Sequence, residues 1–146
     1  MTIESFARLL QFSISPIALI SGASLLLLSI TNRFGRTIDR SRTLVRELES
    51  EVGTAFQKEH KQQLRILLRR SQFLRNAVLS IIASIFLSAL MIIGVTAQIF
   101  LGWEFKVTVL LLLSLSVFSL CAAVVFLFCD VSAGLKALKL EVHRHI

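Results

Sequence analysis

Six arginines form the one group of side chains able to do recognisable chemistry. Arg33, Arg36 and Arg40 lie at spacings of three and four, and Arg69, Arg70 and Arg75 follow some thirty residues later. On a helix the first three share a face. A guanidinium carries five N–H donors in a planar fork that fits the oxygens of phosphate or carboxylate. The chemistry is therefore contact with an anion or an anionic lipid headgroup, or a ring of arginines around a vestibule. The alternative is a topology signal, basic residues resting against an anionic membrane surface at about 1 kcal/mol each. Asp39 stands three residues from both Arg36 and Arg42, so local ion pairs worth ~0.3–0.5 kcal/mol are available.

Other candidates carry less. Glu104 sits between Trp103 and Phe105; a ring of Glu104 around an oligomer axis would draw cations, whereas Trp and Phe in such a loop are commonly interfacial anchors beside a solvated Glu. His143-x-His145 is a metal-like spacing, but on a helix the two point to opposite sides. His60 interrupts an apolar stripe and would sense pH, or is a polar residue tolerated near a turn. His-Glu-x-x-His, Cys-x-x-Cys and a Gly-rich phosphate loop do not occur in the sequence. No catalytic residue, metal ligand or cofactor is expected.

The elements that must position the arginines are apolar. Over half of the 146 residues are hydrophobic (55%), and the sequence has three apolar runs, 9–31, 77–101 and 107–129. Each exceeds the ~20 residues that cross a ~30 Å hydrocarbon core. None contains Asp, Glu, Lys, Arg or His, which argues against a proton-coupled transporter or an intramembrane hydrolase. The first run is read as a retained span, being longer than the ~7–15 residue apolar region of a secretory signal. Of the sixteen Lys and Arg, eleven lie between residues 31 and 77, and Lys106 alone occupies the loop between the later runs. The positive-inside rule then places the 32–76 segment and the C-terminus in the cytoplasm, and the N-terminus and the 102–106 loop outside. The net charge of +7 points to anionic lipid rather than nucleic acid. Cys121 and Cys129, ~12 Å apart along a helix, are too distant for a disulfide and read as small fillers of a buried helix.

The polar segment has a period. Phe34, Ile38, Ser41, Val45, Leu48 and Val52, then Phe56, His60, Leu64, Leu67, Ser71, Leu74 and Val78, recur at alternating steps of three and four, the seam of a coiled coil. Folded at 53–55, position 45 meets 64, 41 meets 67 and 38 meets 71, and the register runs on into the first two spans. This predicts an antiparallel hairpin made of two helices that enter the membrane unbroken. Pro16 lies about one turn into the first span, where it is tolerated or kinks the helix locally. Ala18 and Gly22 permit close approach of another helix. Ser80, Ser84 and Ser88 form a stripe of the kind that marks a helix–helix contact or, alternatively, lines a pore. Asp130 reads as the end of the third span, and 130–146 as a short amphipathic tail helix.

One phrase resembles a known family: Ser15-Pro16-(x)3-Ile20-Ser21-Gly22, a Leu-rich stretch, then Thr31-Asn32-Arg33-Phe34-Gly35-Arg36-Thr37-Ile38-Asp39-Arg40-Ser41-Arg42. It is similar to a bacterial family of small membrane proteins catalogued as domain of unknown function 2721, in which a Pro-containing first span, the Arg/Asp element and two later spans recur. The resemblance implies the fold and a bacterial inner membrane. It supplies no activity.

The expectation is thus an all-α, single membrane domain over 1–146, with three transmembrane helices and a cytoplasmic antiparallel coiled-coil hairpin extending helices 1 and 2. Three spans cannot enclose a conduit and the small-residue stripes need partners, so a homo-oligomer is expected. The leading reading is a non-enzymatic scaffold or interaction module contacting anionic lipid. The alternative is an oligomeric ion channel with Glu104 at its outer mouth and Arg33, Arg36 and Arg40 lining an inner vestibule.

Overall fold

A computed structural model describes the backbone of residues 3–50, 54–101 and 106–145, and the side chains of 14–48, 62–98 and 107–135. All the described backbone is helical: α1 (Ile3–Ser50), α2 (Thr54–Leu101) and α3 (Lys106–His145). At 48 residues, α1 and α2 are each roughly 70 Å long, more than twice the hydrocarbon thickness. Pro16 lies inside α1 without ending it. Its missing N–H costs one helical hydrogen bond, which a membrane helix can tolerate, and its ring is fully buried. All three helices are long and apolar enough to cross a membrane. α3 continues unbroken through Asp130 into the expected tail helix.

The chain divides into two compact units. The first comprises Met1–Leu28 and Leu79–Ala123, the second Ser29–Val78 and Val124–Ile146. In the first unit, Ala23, Ile81, Met91, Val95 and Ala123 form the apolar core, together with three buried serines: Ser84, Ser88 and Ser116. In the second, Ile30, Leu44, Leu74 and Ala77 are buried with Thr37 and Asp130.

Burial along each helix keeps one period. On α1 the buried residues are Pro16, Ala23, Ile30, Thr37 and Leu44, seven apart; on α3 they are Ser116, Ala123 and Asp130, again seven apart. On α2 they alternate by three and four, through Leu74, Ala77, Ile81, Ser84, Ser88, Met91 and Val95. Seven residues are two turns of 3.5, the spacing of a coiled-coil seam.

The stripe on α1 differs from the expected one at two positions. Thr37 and Leu44 are buried, while Ile38 is half-buried and Val45 is 40% exposed. Thr37 takes the buried place because its Oγ1 donates to the Arg33 carbonyl at 3.0 Å, which satisfies the hydroxyl within its own helix. Phe34, Ser41 and Leu48 are, like Ile38, half-buried.

The outer faces are apolar. Leu25, Phe86, Leu110, Phe118 and Phe128 are all more than 60% exposed. Such a surface is costly in water and natural in lipid. Cys121 is exposed and Cys129 half-buried, so Cys121 is not the filler of a buried helix that it was expected to be.

Candidate functional site

The second unit is built around a carboxylate in a helix that is otherwise apolar at this level. Asp130, in α3, has no solvent exposure. Its Oδ2 accepts from Arg33 Nη2 of α1 at 2.8 Å, and its Oδ1 accepts from Arg70 Nε of α2 at 3.0 Å. One side chain thus ties three helices together. A buried carboxylate without a partner would cost several kcal/mol, and two charged donors offset that. The arginines are less enclosed, with 33% and 25% of their side chains exposed. No buried side-chain N or O lacks a partner among the described residues.

Gly134 follows Asp130 by one turn on the same face of α3. A Cβ there would stand 3.3 Å from Arg70 Cζ and 3.4 Å from Nη2. The Arg70 guanidinium therefore lies flat on the glycine, and the missing side chain is its slot.

Beside this clasp is a cavity of about 340 Å³ lined by Arg33, Arg36, Thr37, Arg40, Leu67 and Arg70. Asp130 is not among its lining residues. Arg36 Nε makes one long contact of 3.4 Å to the Asn32 carbonyl, and Arg40 forms no ion pair among the described residues. Asp39 is exposed and likewise has no ion pair among them, so the local pairs expected with Arg36 and Arg42 do not form; Arg33 instead reaches 97 positions along the chain to Asp130.

Of the six candidate arginines the structure brings four together. Arg69 lies over the Phe73 ring, 6.0 Å from its centroid, and Arg75 is exposed; neither lines the cavity. Glu104 lies outside the described residues, as do the side chains of His60, His143 and His145. The residues that sequence reasoning missed are Asp130 as a partner, Gly134 and Thr37. A signal for the first was present: an acid at the edge of an apolar run needs a cation, and Arg33 and Arg70 were in surplus.

In the first unit, Ser84 and Ser88 of α2 meet Ser116 of α3. Ser84 Oγ donates to the Ser116 carbonyl at 2.9 Å, and Ser116 Oγ donates to the Ser84 carbonyl at 2.9 Å. Ser88 Oγ lies 2.7 Å from Ser116 Oγ, and Ser119 Oγ donates to the Ser80 carbonyl at 2.8 Å. The small side chains let the two backbones approach until hydroxyls reach across to carbonyls. Ser84 and Ser88 are enclosed within one chain, so the pore-lining alternative is overturned for them, and this stripe needs no second chain to satisfy it. Ala18 and Gly22 remain exposed.

A family model described as "Protein of unknown function (DUF2721)" matches residues 13–140. No curated protein matches the chain, and no solved structure does. The chain belongs to that family, and the match spans both units and every residue of the clasp and cavity.

Proposed function

We propose that this chain, as a member of that family, is a non-enzymatic protein of the bacterial inner membrane that acts as a homo-oligomeric scaffold or interaction module and grips anionic lipid through its arginines. The hairpin 32–76 and the C-terminus face the cytoplasm in this reading, and the N-terminus faces outside, in keeping with the Lys/Arg asymmetry. One observation carries it. Four arginines line a single open pocket, and the carboxylate of Asp130 is hidden behind two of them. Guanidiniums stay charged throughout the physiological range, so such a site holds negative charge and is poorly suited to moving protons.

The positive surplus also fits the depth at which it would lie. It begins at Arg33, directly after the first apolar run, where headgroups of the cytoplasmic leaflet are negative. The channel alternative loses the Ser84 and Ser88 lining and keeps Glu104 at an outer mouth and Arg33, Arg36 and Arg40 at an inner vestibule.

The test is lipid preference. The purified protein, examined by native mass spectrometry in mixed micelles, should retain phosphatidylglycerol over phosphatidylcholine, and less so as salt shortens the Debye length. Equal retention of both at low salt would sink the reading.

A further inference from the structure

Resting on the anionic-lipid reading and narrowing it, we propose that the arginine cavity selects a dianionic phosphate, the phosphomonoester of a lipid headgroup or free inorganic phosphate, over a phosphodiester. The first ground is charge. Arg33, Arg36, Arg40 and Arg70 line the cavity, with Asp130 behind two of them and the exposed Asp39 beside Arg36 and Arg40 on α1, which leaves two positive charges uncompensated. A phosphodiester brings about one negative charge, whereas a phosphomonoester brings about 1.5–2 at pH 7 and three strong acceptor oxygens.

The second ground is geometry. Asp130 engages one nitrogen of each of Arg33 and Arg70. It therefore fixes both side chains, keeps itself out of the cavity wall and leaves most of their N–H donors free. Gly134, one turn along the same face of α3, leaves room for the Arg70 guanidinium beside it. Two of the four guanidiniums are thus positioned before any ligand arrives, which lowers the ordering cost of binding. Arg36 and Arg40 complete the ring from one face of α1. As like charges one turn apart they repel each other, a strain that an anion between them would relieve.

The third ground is size. About 340 Å³ is near the lower limit for small-molecule pockets, room for a phosphate group, and the pocket is open, so the rest of a lipid can lie outside it. Thr37 Oγ1 spends its proton on the Arg33 carbonyl and adds little donation of its own. Leu67 supplies an apolar side against which the carbon attachment of the phosphate can rest.

The full-length protein in zwitterionic nanodiscs should be titrated with short-chain phosphatidic acid, a monoester, and with short-chain phosphatidylglycerol, a diester. Phosphatidic acid should bind about tenfold more tightly. Arg36→Gln and Arg40→Gln, which leave the Asp130 clasp intact, should each reduce that ratio, and together they should abolish it; Arg75→Gln, outside the cavity, should keep it. Inorganic phosphate should raise the melting temperature by itself and displace phosphatidic acid. Whichever of the two binds more tightly identifies the source of the phosphate group. Equal binding of the two lipids would overturn the selectivity while leaving the anionic-lipid reading standing, and no preference for either over the zwitterionic background would fail both. Monoester preference that survives in the Arg36/Arg40 double variant, or phosphatidic acid that phosphate cannot displace, would also overturn the proposal.

Discussion

Glycine at position 134 leaves the Arg70 guanidinium room against α3 beside Asp130. An added methyl would sit 3.3 Å from Arg70 Cζ, so Gly134→Ala sets a tight contact against a gain of ~1 kcal/mol in helix propensity. The two should nearly cancel. Gly134→Leu leaves the guanidinium no room, and we expect it to lower the unfolding temperature clearly. Gly35 is the control, since nothing lies within 4 Å of its added Cβ; Gly35→Ala should stabilise by about 1 kcal/mol. Thermal melts of the three variants in one detergent check all of this. If Gly134→Leu melts with the wild type, the slot is not occupied as described. At this scale the sequence revealed residue types but not partners. Arg33 and Arg70 were legible as candidate anion binders from their spacing. That Asp130 joins them was not, because its partners lie 97 and 60 positions away and only packing brings them together.

Helices were the most legible level. Apolar runs fixed the number and type of the elements, whereas of the stripe read on α2 between 64 and 78 only Leu74 is fully buried, and Ala77 takes the place expected for Val78. The shift on α1, Thr37 in place of Ile38, has a local cause: a hydroxyl that bonds back to its own helix behaves as a small branched apolar group, which a pattern based on polarity cannot see. The shift makes a sharp comparison. Leu44 is 1% exposed and Val45 is 40% exposed. Leu44→Asp should destabilise by several kcal/mol, while Val45→Asp should cost about 0.5 kcal/mol or less. A reversed order in chemical unfolding would restore the seam read from the sequence. The serine contact can be tested separately. Ser116→Leu would force four-carbon bulk between α2 and α3 where hydroxyls now touch backbone, and should cost ~1–3 kcal/mol. Ser116→Ala loses only hydrogen bonds, each worth ~0.6 kcal/mol within a membrane.

For the whole molecule, the Lys/Arg asymmetry predicts an orientation open to direct measurement. A cysteine at Thr54 should react with an impermeant thiol reagent only from the cytoplasmic side, and one at Gly102 only from outside, both in a background lacking Cys121 and Cys129. Labelling of position 54 from outside would invert the topology and remove the arginines from the anionic leaflet. The membrane class was readable from length and composition alone, whereas the cavity was not, since its lining residues come from two helices, α1 and α2, and are far apart in the chain. The Asp130 clasp is best measured by a double-mutant cycle on Asp130→Asn and Arg33→Gln, with reversible unfolding followed in mixed micelles. Asp130→Asn alone should cost ~3–5 kcal/mol, because two guanidiniums lose their shared partner. The double variant should cost less than the sum of the two single changes, with a coupling of about 1–3 kcal/mol. Additivity within ~0.5 kcal/mol would mean that Arg33 and Asp130 do not interact, and would contradict the three-helix clasp that positions two of the cavity's four arginines.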